Sequence, residues 1–129
     1  MKKTRLRSKK GYKGDNKSCL TNLRWVYKRG AKSRDLVWEL TNEQFAKLTK
    51  QNCWYCNQEP AQMNRVYGKN KPKNAYYLYN GVDRMDNAVG YTMDNCISCC
   101  GRCNHMKHVL HVEDFINHIR KIIRNLGIF

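Results

Sequence analysis

Two pairs of cysteines are the residues of this sequence whose spacing points most directly to chemistry. Cys53 and Cys56 form the first pair, Cys100 and Cys103 form the second, and 43 residues separate the two pairs. One such pair alone could be a redox couple, whereas two pairs offer the four thiolates that a structural zinc ion binds. A site closed by four protein ligands has no open position for a substrate. The pattern therefore predicts a zinc ion that stabilises the fold and does no chemistry.

The other three cysteines need a separate explanation. We expect Cys19 and Cys96 to be ordinary buried thiols. Cys99 is adjacent to a predicted ligand and could compete for the metal. The two-residue spacing to Cys103 favours Cys100 over Cys99 as the ligand.

Polar residues lie between and just after the two pairs, in a predicted order of strand, turn, strand, cysteine pair and helix. The phrases are Gly81-Val82-Asp83-Arg84, Gly90-Tyr91, Asn95 and Cys103-Asn104-His105-Met106-Lys107. Over about residues 50–117, this order resembles the ββα-metal finger of the HNH (His-Me finger) endonucleases. The segment 36–40 and the helix after it also resemble phage-type members of that group. The resemblance implies an α+β fold: a small zinc-stapled ββα-metal finger with flanking helices and a basic N-terminal arm.

The resemblance also implies which residues carry the chemistry. Asp83 and Asn104 match the positions that hold one divalent cation, Mg²⁺ or Mn²⁺, which prefers oxygen ligands and keeps positions open for phosphate and water. Asn95 is expected to brace the finger or to orient the base. Lys107 lies one turn beyond Asn104 and is expected to face the same phosphate.

One position departs from the family pattern. The family has its general base, a histidine, immediately after the metal-binding aspartate, and this sequence has Arg84 there. Arginine cannot accept a proton in a protein, although it could hold the scissile phosphate. Tyr79 would lie ~13 Å from Asp83 along an extended strand, so His108, four residues after Asn104 on the predicted helix, is the better candidate base. A tyrosine from the N-terminal half or a metal-bound hydroxide acting alone are the alternatives.

The charge of the chain points to a polyanionic partner. The formal net charge is +15, and residues 1–50 carry 15 Lys/Arg against 4 Asp/Glu. Such a field attracts nucleic acid and accelerates encounter with it. A membrane surface is disfavoured because the first 17 residues offer only Leu6 and Tyr12 as large apolar groups. We therefore expect double-stranded DNA as the partner, with phosphate contacts from basic residues in both halves of the chain: Arg24, Lys28, Arg34, Arg102 and Lys107.

The sequence also predicts the organisation of the chain. Residues 1–17 are expected to be a disordered basic arm, residues 18–50 a helical and strand region, and residues 51–129 the zinc-bound finger with a C-terminal helix. Helices are predicted over 18–29, over 42–50 from a Thr41/Gln44 capping box, from about Asn104, and over 112–125. Strands are predicted over 36–40, 76–82 and 95–98, and residues 57–75 are expected to be a loop. The three tryptophans and the apolar stripe of the last helix are expected to lie in the core.

No apolar stretch follows the charged N-terminus, and the cysteine count is odd. These features favour an intracellular, reducing compartment such as the cytoplasm, that of a phage-infected host included. The favoured function is a metal-dependent DNA endonuclease that nicks or cuts both strands, acting as a monomer or a homodimer. The alternative is a non-catalytic zinc module that binds nucleic acid with a degenerate nuclease site, which Arg84 supports. A structural zinc protein bound to ribosomal RNA fits the charge but leaves Asp83 and Asn104 without a purpose.

Overall fold

The computed structural model describes residues 15–67, 69 and 74–128. Within these residues the chain forms four α-helices and two antiparallel sheets of two strands each, so the predicted α+β class is confirmed. The first sheet pairs β1 with β2, and the second pairs β3 with β4. In chain order the elements are α1 Lys17–Ser33, α2 Asn42–Lys50, β1 Gln62–Asn64, β2 Tyr77–Tyr79, β3 Gly81–Arg84, β4 Cys96–Cys99, α3 Gly101–Lys107 and α4 Val112–Leu126.

The predicted order of strand, turn, strand and helix is present as β3, β4 and α3. The register of the sheet places Asp83 opposite Ile97. Cys100 is the N-cap of α3, and its sulfur accepts a hydrogen bond from the Cys103 amide at 3.4 Å. The second cysteine pair therefore spans the junction between β4 and α3, which fixes the helix against the end of the strand.

The segment predicted as one strand over 76–82 is two strands that belong to different sheets. Asn80 separates them and is fully buried, and its Nδ2 donates to the Gln51 and Gln58 carbonyls, each at 2.9 Å. These bonds hold Asn80, the residue between the two strands, against the segment that carries the first cysteine pair. β2 pairs with β1, which lies inside the segment predicted as a loop. That prediction was wrong because a three-residue strand has too few residues to show a period.

The helix α1 is longer than predicted at both ends. Asn16 caps it by accepting a hydrogen bond from the Cys19 amide at 3.1 Å, and Asp15, inside the predicted arm, forms an isolated bridge with Tyr77. Residues 1–14 of that arm lie outside the described residues. The helix was predicted to end at residue 29, before Gly30, and this was wrong, because Ala31 is buried in the core and the helix continues to Ser33. Packing of the next residue outweighs the low helix propensity of glycine.

An aromatic cluster joins the N-terminal region to the finger. Phe45 of α2 is fully buried, and its ring lies 5.4 Å from that of Tyr27 and 5.8 Å from that of Trp38. Tyr91 completes the cluster, 5.0 Å from Trp38. The predicted strand over 36–40 is reduced to a single parallel bridge between Trp38 and Tyr91. The predicted bounds and capping box of α2 are both confirmed.

Two of the three tryptophans do not lie in the core. Trp25 and Trp54 are 54% and 56% exposed, whereas Trp38 packs in the aromatic cluster. The expectation that the last helix buries its apolar stripe was also wrong for its C-terminal half. Phe115 is buried, but Ile122 and Ile123 are exposed. Helical spacing identifies an amphipathic face but does not say how much of that face the domain covers.

None of the described helices has the length and apolar character needed to cross a membrane.

Gly90 lies against Val37, so a substitution at Gly90 tests the packing between the N-terminal region and the finger. A β-carbon at this position would lie 2.5 Å from the Val37 carbonyl oxygen, so Gly90→Ala is expected to lower the free energy of unfolding by about 1–3 kcal/mol. Gly30→Ala is the matched control, because the nearest atom is 3.5 Å away and alanine favours a helix. Gly30→Ala is expected to stabilise by about 0.5–1 kcal/mol. Urea unfolding of both variants measures the two effects, and equal effects would contradict this account of the contact.

Candidate metal centres and hydrolytic cleft

The four predicted cysteine ligands form one cluster. The sulfur atoms of Cys53, Cys56, Cys100 and Cys103 all lie within 4.8 Å of one another, and those of Cys56 and Cys100 are 3.6 Å apart. In a tetrahedral zinc site with Zn–S bonds of about 2.3 Å the sulfurs lie roughly 3.8 Å apart. The cluster therefore has the donors and the dimensions to hold a metal ion such as zinc.

Backbone hydrogen bonds shape the loop that carries the first pair. The Cys53 amide donates to the Gln58 carbonyl, and the Asn57 amide donates to the Cys53 carbonyl, both at 2.8 Å. Asn57 has a positive φ of 64°, a conformation that asparagine tolerates better than most residues. The loop is tied to β4 as well, because the Trp54 amide donates to the Ser98 carbonyl at 2.8 Å. Both ligands of the pair are thereby held against the second strand of the finger.

The three remaining cysteines lie outside the cluster. Cys19 and Cys96 are buried, as predicted, and burial raises the pKa of Cys96 to about 12, which leaves it an unreactive thiol. Cys99 is also buried, but its sulfur points to the Cys100 carbonyl at 3.4 Å. The spacing argument that preferred Cys100 over Cys99 agrees with this geometry.

An open cleft of about 550 Å³ lies between β3, α3 and the aromatic cluster. We call it the hydrolytic cleft, as a candidate site only, and define it by the side chains that line it. Five of them were singled out from the sequence: Arg34, Asp83, Arg84, Asn104 and His108. Six further residues line it, among them Tyr27, Tyr91 and His105, to which no role was assigned from the sequence. Tyr91 belongs to the Gly-Tyr phrase of the motif, whereas nothing in the local sequence marks Tyr27.

Asp83 lies on β3 with both carboxylate oxygens engaged. The Tyr55 hydroxyl donates to Oδ2 at 2.9 Å, and the Lys107 ammonium donates to Oδ1 at 3.3 Å and to the Arg84 carbonyl at 3.0 Å. Lys107 is fully buried and Asp83 is 4% exposed. The expectation that Lys107 faces a phosphate was therefore wrong, because the side chain points into the finger and neutralises a buried carboxylate.

Two tyrosines that contact β3 remain protonated phenols. Burial, together with the negative charge of Asp83, raises the pKa of Tyr55. Burial also raises the pKa of Tyr27, whose hydroxyl oxygen accepts a hydrogen bond from the Val82 amide at 3.2 Å. Tyr27 approaches β3 this closely because residue 81 is glycine, where a β-carbon would lie 2.8 Å from the hydroxyl oxygen. Both shifts favour the protonated form of the phenol.

Arg84 is held by the loop that follows β3. One guanidinium nitrogen donates to the Asn87 carbonyl at 2.6 Å and to the Val89 carbonyl at 3.0 Å. The guanidinium carbon also lies 5.5 Å from the centre of the Tyr91 ring, within cation–π range. The side chain is partly exposed to the hydrolytic cleft, where it presents a fixed positive charge.

Asn95 makes the contacts of a bracing residue. Its Oδ1 accepts from the Asp86 amide at 2.9 Å, and its Nδ2 donates to the carbonyls of Asp86, Val89 and Gly90 at 3.0–3.2 Å. A buried side chain that satisfies four backbone groups fixes the shape of the 86–90 loop. Of the two roles expected for Asn95, these contacts correspond to bracing.

His108 reaches the hydrolytic cleft by a route that differs from the predicted one. The helix α3 ends at Lys107, and His108 is its C-cap with a positive φ of 51°. It therefore lies beyond the helix on which an i, i+4 pair with Asn104 was expected, yet its imidazole and Asn104 line the same cleft. Tyr79, already disfavoured by distance, does not belong to the cleft lining.

The remaining candidate nucleic-acid contacts are spread over two helices. Arg34, at the end of α1, lines the cleft and donates to the Tyr91 hydroxyl at 3.1 Å. Lys28 and Arg24 lie on α1, with the Lys28 ammonium 5.9 Å from the Trp38 ring centre. Arg102 is exposed on α3. Of the four, only Arg34 contributes to the cleft lining.

Comparisons with known proteins agree with this fold. No protein-family model matches the chain. The structure is similar to that of the HNH restriction endonuclease PacI, with a TM-score of 0.56, 20% sequence identity, and coverage of 85% of this chain and 82% of that one. An uncharacterized protein of Acanthamoeba polyphaga mimivirus is 36% identical over an alignment 124 residues long, which covers 89% of this chain and 21% of that protein. The chain thus spans about a fifth of the length of that relative. The similarity to PacI shows that the predicted HNH-like fold is correct.

Proposed function

We propose that this chain is a metal-dependent DNA endonuclease that hydrolyses phosphodiester bonds with its HNH-like finger. The observation that carries the proposal is the hydrolytic cleft, which is lined by Asp83 and Arg84 from β3 and by Asn104 from α3. DNA is the proposed substrate because the structural neighbour is a restriction endonuclease and the chain carries a net charge of +15.

Two kinds of metal ion fit the side chains. We assign a structural zinc ion to the four-cysteine cluster, whose sulfur atoms have the required separations. We assign a catalytic Mg²⁺ or Mn²⁺ to an oxygen of Asp83 and the amide oxygen of Asn104, which are the hard ligands that these cations prefer. Each carboxylate oxygen of Asp83 has more than one acceptor position, so the bonds from Tyr55 and Lys107 leave room for a cation. When bound, such an ion lowers the pKa of a water ligand and offsets charge on the phosphate.

The chain's own groups complete the proposed chemistry. Arg84 and Arg34 place two guanidinium groups in the hydrolytic cleft, where they would bind non-bridging phosphate oxygens and stabilise the added negative charge of the transition state. We assign His108 as the group that accepts the proton of the attacking water, because a neutral imidazole is a suitable acceptor near pH 7. Arg24, Lys28 and Arg102 would contact the backbone of the bound duplex outside the cleft.

Asn104→Ala provides the cleanest test of the proposed site. Asn104 is exposed, so its truncation should leave the fold intact, whereas losing one of two metal ligands should lower cleavage by roughly 10²-fold or more. The assay is conversion of supercoiled plasmid to open-circular or linear DNA at low salt, with Mg²⁺, Mn²⁺ or EDTA. Asn125→Ala, an exposed asparagine on α4, is the matched control and should cut as the wild type does.

A second function is supported by one observation, the arginine in place of the family's histidine base. With Arg84 committed to two loop carbonyls, the finger could bind nucleic acid without cutting it. Plasmid that is shifted in a gel but never cut under any metal would replace the endonuclease proposal with this binding module. Cleavage that persists in Asn104→Ala would instead show that the site has been assigned to the wrong residues.

A further inference from the structure

Tyr55 connects the four-cysteine cluster to the hydrolytic cleft. It lies between Cys53 and Cys56, the two ligands of the first pair, and its hydroxyl donates to Asp83 Oδ2 at 2.9 Å. Asp83 lies on β3, a strand of the finger, 28 residues further along the chain. The Tyr55 side chain therefore links the loop of the proposed zinc site to the carboxylate of the proposed catalytic cation site.

The ring of Tyr55 is fixed independently of that hydrogen bond. It packs edge to face against Phe115 of α4, with ring centres 5.4 Å apart, and against Trp54 at 5.1 Å. The backbone beside it is held to β4 by the bond from Trp54 to the Ser98 carbonyl. A phenylalanine would fill the same space and keep these ring contacts. The packing thus accounts for an aromatic ring at position 55, and the contact with Asp83 accounts for its hydroxyl.

Two donors together determine how the Asp83 carboxylate is oriented. Tyr55 binds Oδ2 and the buried Lys107 binds Oδ1, so rotation of the carboxylate about its Cβ–Cγ bond would break both contacts. A hydrogen bond to a carboxylate that binds a metal typically fixes the ligand's orientation, and its loss costs about 10- to 100-fold in metal affinity or activity. The Tyr55 bond is the one of the two that can be removed without unpairing a buried charge.

We propose that Tyr55 is a positioning residue, whose hydroxyl holds the Asp83 carboxylate in the orientation that binds the catalytic cation and so couples the cysteine cluster to the hydrolytic cleft. This inference rests on the proposed function. It makes the loop between Cys53 and Cys56 part of the catalytic apparatus as well as a support for the fold. Tyr55 itself touches neither the DNA nor the reacting water.

Tyr55→Phe tests the proposal because it removes the hydroxyl and keeps the ring. Binding of Mn²⁺ to the zinc-loaded protein, measured without DNA by the loss of the free-ion electron paramagnetic resonance signal, is expected to weaken about 10- to 100-fold. The Mn²⁺ concentration for half-maximal plasmid cleavage should rise to a similar extent. Zinc content, and DNA binding measured without added Mg²⁺ or Mn²⁺, should stay at wild-type values. Tyr77→Phe is the matched control, since it removes a buried hydroxyl bonded to Thr49 at 2.7 Å.

The outcomes separate this inference from the proposed function. Wild-type Mn²⁺ affinity in Tyr55→Phe, with a wild-type protein that binds Mn²⁺ and cuts DNA, would overturn the positioning role alone. Loss of zinc in Tyr55→Phe would also overturn it, because the residue would then act by supporting the cluster. A wild-type protein that neither binds Mn²⁺ nor cuts DNA would overturn the endonuclease proposal, and the positioning role with it.

Discussion

Replacing Cys100 with alanine is expected to unfold the domain, whereas replacing its neighbour Cys99 is expected to leave it folded. Both side chains are buried, but only the Cys100 sulfur belongs to the four-cysteine cluster. Structural zinc sites contribute apparent binding free energies of about 10–16 kcal/mol. That is as large as the roughly 5–15 kcal/mol by which most domains are stable, so the fold should not survive without the ion.

Zinc content and circular dichroism distinguish the two cysteine variants. Cys99→Ala is expected to retain one zinc ion per chain and a wild-type circular dichroism spectrum. Cys100→Ala is expected to lose the ion and the helical signal, as the wild type should in excess chelator. Zinc retained at full stoichiometry in Cys100→Ala would show that Cys99 or another group completes the site.

The second large effect concerns the buried ion pair between Asp83 and Lys107. Asp83→Asn removes one charge and leaves the Lys107 ammonium buried without a counter-ion, which typically costs about 3–5 kcal/mol. The double variant Asp83→Asn/Lys107→Met removes both charges, so most of that loss should be recovered. Urea unfolding of the zinc-loaded proteins measures both values. A single variant as stable as the wild type would show that the pair is hydrated and contributes little.

The expected instability of Asp83→Asn affects how nuclease assays of Asp83 variants should be designed. Loss of cleavage in a single Asp83 variant could reflect partial unfolding as well as loss of a metal ligand. The double variant separates the two, because it is expected to be folded and inactive. Asn104 needs no such compensation, since its side chain is exposed.

The parts of the fold that were predicted correctly depend on residues close together in the chain. The capping box of Thr41 and Gln44 determines the start of α2 within four residues, and the structure contains both of its hydrogen bonds. The two-residue spacing within each cysteine pair predicts the four-cysteine cluster, and the Gly-Val-Asp-Arg phrase coincides with β3. Local patterns of this kind are informative because few other structures satisfy them.

The parts that were missed depend on residues far apart in the chain. Asn80 breaks the predicted strand through bonds to residues 22 and 29 positions earlier. Lys107 is a lysine on a short helix, and nothing in its sequence neighbourhood predicts burial. It is buried because it pairs with Asp83, which is 24 positions earlier in the sequence but beside it in the fold. Ile122 and Ile123 are exposed because the rest of the domain does not extend that far along α4. The spacing of apolar residues in the sequence does not contain this information.

The bonds that hold the 86–90 loop have a consequence for the entropy of binding. Asn95 fixes the loop, and the loop carbonyls of Asn87 and Val89 in turn fix Arg84 before any ligand arrives. A free arginine side chain gives up about 1.5–2 kcal/mol of rotamer freedom when it is ordered. Here folding has already ordered the guanidinium, so a phosphate that reaches it would be bound without that cost.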